Sequence, residues 1–305
     1  MLAQLAKQPV FGILVFFGCL FIFGGVYKVD DYSKLAFSPY PKPILLSIAI
    51  GVIMVGLGVL LYVAANLSIG SFPFSKVKKL GNGYSTSHGT LVLNVLVGQI
   101  QEFDCAGSDC MVALPANEFF DDDCIHDPRS ALGAYVMHHF HNCAAEIQSL
   151  VKTKLRDESS ENVPKETGVI VPSYGVGKSV YLGSPLSSPA RIAMVSVTTK
   201  RAGIGLHAEA RYIFDAIAAV HRTMADQRLS TLFIPLIGSG HGGLKAETSL
   251  LCMLISFAEL HHSPLGQNLK NVNIVVYSKS PTSEPSISLR NIKRALAYTE
   301  QFFKT

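Results

Sequence analysis

The chain has 305 residues, a net charge of +4, and 16% charged against 49% hydrophobic side chains. That charge is too small to argue for nucleic-acid binding, and no basic run with interleaved aromatics accompanies it. The length accommodates a membrane segment followed by one domain of about 225 residues, enough for a full α/β core.

Two apolar stretches open the chain. Residues 10–27 (VFGILVFFGCLFIFGGVY) and 44–65 (ILLSIAIGVIMVGLGVLLYVAA) contain no Asp, Glu, Lys or Arg. A helix needs roughly 17–25 apolar residues to cross a hydrocarbon core. Both stretches meet that length and predict a two-helix transmembrane hairpin over 1–70. The first is a poor signal peptide, with only Lys7 ahead of it and no small-residue cleavage site. Lys76, Lys78 and Lys79 follow the second stretch, and Lys28, Lys34 and Lys42 share the loop with Asp30 and Asp31. The mild bias predicts that both ends face the cytoplasm. Ser47, Gly51, Gly58 and Ala65 share one helix face, a pattern that permits close helix packing and assembly.

A linker over 71–87 is punctuated by Pro73, Gly81 and Gly83. The domain of 88–305 then alternates strand-like and helix-like runs. Strands are expected at 90–97, 110–115, 168–172, 180–182, 191–199, 231–237 and 273–277. Helices are expected at 130–155, 207–227, 245–261 and 288–303. Strands interleaved with helices of this length predict a sheet covered on both faces.

Cys19, Cys105, Cys110, Cys124, Cys143 and Cys252 form no CxxC pair and read as separate buried thiols. His138 and His141 have zinc-ligand spacing, with Cys124, His126 and Cys143 near in sequence, but no second pair is clear. No metal is expected. Tyr174 to Ser179 (YGVGKS) looks like the end of a P-loop, yet Pro172 stands where the leading glycine is needed.

Two loops follow apolar strands, where α/β folds place ligands. One is 114–125 (LPANEFFDDDCI). The other is 237–244 (IGSGHGGL), with Gly238, Gly240, Gly242 and Gly243 inside six residues. Bare backbone ahead of a helix N-terminus lets several N–H groups converge on an anion.

A strand ending in Pro115-Ala116-Asn117, and a later strand running into Gly238-Ser239-Gly240-His241-Gly242-Gly243 and a helix, resemble the macro-domain family, the ADP-ribose-binding fold. The likeness covers about 91–277. Together with residues 117–125 and the hairpin, it resembles the membrane-anchored macro-domain effectors (ThsA) of type II Thoeris anti-phage defence. The resemblance implies a three-layer α/β/α mixed sheet. It also implies a ligand that is an ADP-ribose derivative conjugated to histidine, made from NAD by a TIR-domain partner. It places Asn117 at the distal ribose, Gln99 and Ile100 at the adenine, and Gly238, Ser239, Gly240, His241, Gly242 and Gly243 around the diphosphate, with Pro235 also among the ligand-binding residues. Gln99 stands where the family usually has Asp. Glu118, Phe119, Phe120 and Asp121 to Asp123 stand in place of the family's usual glycine-rich loop after the asparagine, with Phe119, Asp121 and Asp122 as candidate ligand contacts, and an acidic rim there could pair with a cationic amine. The expected output is homo-oligomerisation and disruption of the bacterial inner membrane, with no cofactor and no catalytic residue. The alternative is a membrane-tethered hydrolase of ADP-ribosyl groups, with Asn117 and Asp121 or Asp122 activating water. A passive anchored scaffold is a third reading.

Overall fold

A computed structural model of the chain describes residues 76–103, 105, 107–121, 124–140, 143–165, 168–187, 191–201, 205–263, 268–280 and 283–303. Ser75–Thr305 form one compact unit. The two apolar stretches, the small-residue face of the second, and Cys19 lie outside the described residues. Among the described residues no helix is long and apolar enough to cross a membrane.

The centre is a run of parallel strands: β3 (Leu91–Gly98), β11 (Asn271–Tyr277), β10 (Thr231–Pro235), β4 (Cys110–Asn117) and β8 (Ile192–Arg201), in that spatial order. Antiparallel strands finish both sides. β1 (Lys78–Leu80) and β2 (Gly83–His88) pair beyond β3, and β7 (Ser179–Gly183) and β9 (Gly205–His207) pair with β8. A separate hairpin joins β5 (Glu161–Pro164) to β6 (Ile170–Ser173).

Side chains alternate across a strand, and the central strands are apolar on both faces. In β4, Met111 and Ala113 face one core while Val112, Leu114 and Ala116 face the other. In β8, Ala193, Val195 and Val197 oppose Ile192 and Met194 in the same way. One face is covered by α1 (Ala131–Phe140) and α2 (Ala144–Leu155), the other by α3 (Ala210–Asp226), α4 (Ala246–His261) and α5 (Leu289–Thr299). The result is the expected three-layer mixed sheet. Each fully buried Leu or Ile contributes about 1.5–3 kcal/mol, and truncating one to Ala costs about 2–5. Register is fixed partly by polar contacts: Asn94 donates to its cross-strand partner Asn273, whose amide donates to Leu232 O.

Several expectations are corrected. The helix expected over 130–155 is two helices. Residues 78–80 and 83–88 of the expected linker are strands that extend the sheet. Cys105 and Cys110 are not separate thiols: the turn at 107–109 brings their Cα atoms to 5.7 Å, and they form a disulfide. His141 lies outside the described residues and His138 packs on His139, with ring centres 4.7 Å apart. Among the described residues no three metal-ligating side chains come together.

The far end of the sheet carries a buried histidine. The His88 ring stacks on Phe303 at 3.7 Å, its Nε2 lies 3.2 Å from Thr86 Oγ1, and Thr86 Oγ1 donates to Glu300 Oε1. Burial, and then the nearby Lys76 and His261, push the His88 pKa down to about 4. The folded value lies below the unfolded one. Between them the unfolded chain holds a proton that the folded chain does not. Stability should therefore fall as pH drops from about 6.5 towards 4, and His88→Gln should make that fall shallower. Thermal midpoints at pH 7.5, 5.5 and 4.5 check this. An identical slope in the variant would show that His88 does not set the acid limb.

Candidate functional site

The parallel strands end on one edge, and the site is built there. β10 ends at Pro235 and the chain enters the glycine loop, which ends at the N-terminus of α4. Gly238 has φ +78°, and a Cβ there would meet the Ile213 side chain at 2.8 Å. A Cβ on Gly242 would meet Ala208 Cβ and Gly238 O at 2.8 Å. These two positions require glycine, one for its backbone conformation and both for close approach. Gly240 is different: a Cβ there meets nothing within 4 Å.

The loop is tied at its base. Leu244 N–H donates to Gly238 O at 3.1 Å, Gly243 N–H to Gly240 O at 3.2 Å, and Ala208 N–H to Gly242 O at 2.9 Å. Between those ties, the N–H groups of Ser239, Gly240, His241 and Gly242 meet no acceptor among the described residues. Four consecutive donors stand unspent shortly before the N-terminus of a 16-residue helix.

The opposite wall is the segment 124–131. Ser130 caps α1, its Oγ accepting Gly133 N–H at 2.8 Å and donating to Cys124 O at 2.6 Å. A Cβ on Gly133 would meet Asp127 O at 2.2 Å, so the helix packs directly against this turn. Asp127 Oδ1 accepts the Arg129 backbone N–H at 2.9 Å and its Nε at 3.0 Å, while Oδ2 accepts a guanidinium nitrogen at 3.1 Å. The hydrogen-bonded guanidinium holds the Asp127 carboxyl below the usual carboxylate range. From the glycine loop, His241 Nε2 reaches Asp127 Oδ2 at 3.7 Å.

Two cavities lie between these walls. One of about 270 Å³ is lined at one end by Gly98, Gln99, Ile100 and Tyr277, and at the other by Arg129, Ser239 and Gly240. The second, of about 110 Å³, is lined by Pro115, Thr198, Leu206, Gly238, His241 and Gly242. They share Arg129, Ser130, Ala131, Leu236 and Gly240. A third cavity of about 530 Å³ lies beside the β5–β6 hairpin and the start of α3. Its lining sets three carboxylates, Glu118, Glu161 and Asp215, against one cation, Arg211, which makes it a poorer seat for an anion.

Of the residues singled out by sequence, Gln99, Ile100, Pro235, Ser239 and Gly240 line the larger cavity, and Gly238, Gly240, His241 and Gly242 the smaller. Asn117, Phe119, Asp121 and Gly243 line neither. The Asn117 amide is turned into its own loop, donating to Asp121 Oδ1 at 2.8 Å and accepting Phe119 N–H at 3.0 Å. Asp121 also pairs with Lys165 at 2.6 Å. Asp122 lies outside the described residues. This loop is pinned by Glu118, whose carboxylate accepts Ser173 Oγ and Lys200 N–H, and by Gln148, which donates to the carbonyl of Phe120. Phe120 holds a positive φ of 48°, unusual for a side chain of that size. Sequence reasoning missed Arg129 and Ser130. Ser130 opens the helix expected over 130–155, and nothing in the sequence marks it or Arg129 as a wall of the cleft.

A profile for the Thoeris protein ThsA macro domain matches residues 93–277. The chain belongs to the ThsA macro-domain family. Solved structures similar to it include the Oceanobacillus iheyensis macrodomain with ADP, at 13% identity over 65% of this chain and 89% of that one, TM-score 0.45. Others are the Trypanosoma brucei macrodomain in complex with ADP-ribose (11%, 60% and 62%, TM-score 0.36) and the macrodomain of Mycobacterium tuberculosis DarG (13%, 61% and 98%, TM-score 0.38). No curated protein matches.

The loop geometry separates two kinds of glycine. Gly242→Val should destabilise the fold by about 1–3 kcal/mol, the usual cost of overpacking. Gly240→Glu should leave the thermal midpoint unchanged but place a carboxylate beside the four free N–H groups, abolishing anion binding. Equal losses of midpoint in both variants would contradict this division.

Proposed function

We propose that the ThsA macro domain of this chain is the receptor half of a membrane-anchored anti-phage effector, and that its cleft takes an ADP-ribose derivative. The observation that carries the reading is the row of unspent N–H groups at 239–242, set before a helix N-terminus and beside Arg129. A diphosphate answers those donors. The cavity ending at Gln99, Ile100 and Tyr277 suits an adenine, and the smaller one past Gly238 and His241 leaves room for the distal part. The natural ligand in this reading is ADP-ribose conjugated to histidine, made from NAD by a TIR-domain partner.

The stretches 10–27 and 44–65 anchor the domain in the bacterial inner membrane, with the domain and the N-terminus in the cytoplasm. The Cys105–Cys110 disulfide belongs to the same domain, a pairing that a reducing cytosol disfavours. Ligand binding favours an assembled state, and clustered hairpins compromise the bilayer. Converting a population from 1:99 to 99:1 asks the ligand to prefer the assembled state by about 5.5 kcal/mol. The hydrolase reading draws less support. The Asn117 amide and the Asp121 carboxylate, which would position and activate water, are engaged with each other and with Phe119 and Lys165 outside both cavities.

A titration of the detergent-solubilised full chain with ADP-ribose and with its histidine conjugate should drive oligomerisation and return the nucleotide intact. Deletion of residues 1–66 should abolish toxicity in cells. Steady product formation in the same tubes would replace the receptor with the hydrolase, and full toxicity of the truncated chain would remove the membrane from the mechanism.

A further inference from the structure

The two walls of the cleft share one carboxylate. Asp127 Oδ1 and Oδ2 hold the Arg129 guanidinium in a fork, and Oδ2 also faces the His241 ring across the cleft. Arg129 lines both cavities, and His241 lines the one that also contains Gly240 and Gly242. Arg129 and His241 are thus both turned towards an anion that belongs to the protein. A carboxylate and a phosphate are alternative bidentate partners for a planar guanidinium fork.

We propose that Asp127 is a built-in competitor: in the empty cleft its carboxylate occupies Arg129 and His241, and a diphosphate-bearing ligand displaces it to take both. This rests on the reading of the cleft as a nucleotide diphosphate site. Arg129 and His241 then act as a side-chain clamp added to the backbone loop, and Asp127 sets the ligand concentration at which the clamp changes hands. The arrangement selects for doubly charged anions. A single carboxylate gains little by replacing another, whereas a diphosphate meets Arg129, His241 and the 239–242 amides together. It also weakens the apparent affinity by a constant factor, because ligand must outcompete a group present at a fixed, high local concentration.

The test is calorimetry on the full chain with ADP-ribose, inorganic pyrophosphate and adenosine. Asp127→Asn keeps the acceptor for the Arg129 backbone N–H and removes the competing charge. It should tighten ADP-ribose and pyrophosphate by about fivefold and leave adenosine unchanged. R129Q and H241Q should each weaken both phosphate ligands, R129Q by about tenfold or more, the size of one lost charge-assisted hydrogen bond. The D127N/R129Q double variant should behave like R129Q, since the gain requires Arg129. If D127N fails to fold, the two clamp variants still decide: phosphate affinities equal to wild type in both overturn the clamp. A folded D127N that binds pyrophosphate no more tightly than wild type overturns the competitor. Wild-type protein that binds pyrophosphate, with the D127N gain, but not ADP-ribose would leave the clamp standing and remove the nucleotide reading. Binding of neither would remove both.

Discussion

Backbone donors that the fold cannot satisfy govern the ligand end of this domain. Almost every buried N–H in a folded protein has a partner, and the base of the glycine loop obeys that rule through Leu244, Gly243 and Ala208. The N–H groups of Ser239, Gly240, His241 and Gly242 meet no acceptor among the described residues, and Gly240 and His241 are exposed. Both cavities are lined by residues of this stretch. Gly242 lets the loop lie against Ala208 and Thr198, Gly238 turns it, and Gly133 brings α1 close to the turn that carries Asp127 and Arg129. Each of these glycines fixes a wall by permitting a close approach, so the site is a product of backbone packing more than of catalytic side chains.

The layered fold was legible because the central strands are apolar on both faces and the helices between them are long. The glycine loop was legible because four glycines in six residues have few other uses. The break between α1 and α2 was not. Leu132, Tyr135, Val136, Phe140, Ala144, Ile147, Val151 and Leu155 keep one apolar stripe running straight through it. Strands β1 and β2 were hidden by the glycines, serines and lysines that also characterise linkers, and β1 is exposed along its length. The disulfide was hidden because a spacing of five residues carries no motif, and only the turn at 107–109 joins Cys105 to Cys110.

The asparagine loop shows how a motif can be right about position and silent about orientation. Asn117 does end β4 at the ligand edge. A register shift between Ala116 and Asn117 re-aims the side chain, and the loop beyond it collects the amide for its own turn. Residues 118–121 are then locked by Gln148, Lys165, Ser173 and Lys200, contacts that come from distant parts of the chain. Arg129 was invisible for the complementary reason: a lone arginine after an Asp-Pro helix start has no distinguishing pattern until the opposite wall is known.

The proposed function requires the amides of Ser239, Gly240, His241 and Gly242 to receive the diphosphate. Amide NMR of the isotope-labelled chain measures this directly. Addition of ADP-ribose should move those four resonances downfield further than any others, while adenosine should shift only the end of the cleft near Gln99, Ile100 and Tyr277. Saturable ADP-ribose binding that leaves the four amides unmoved would contradict it.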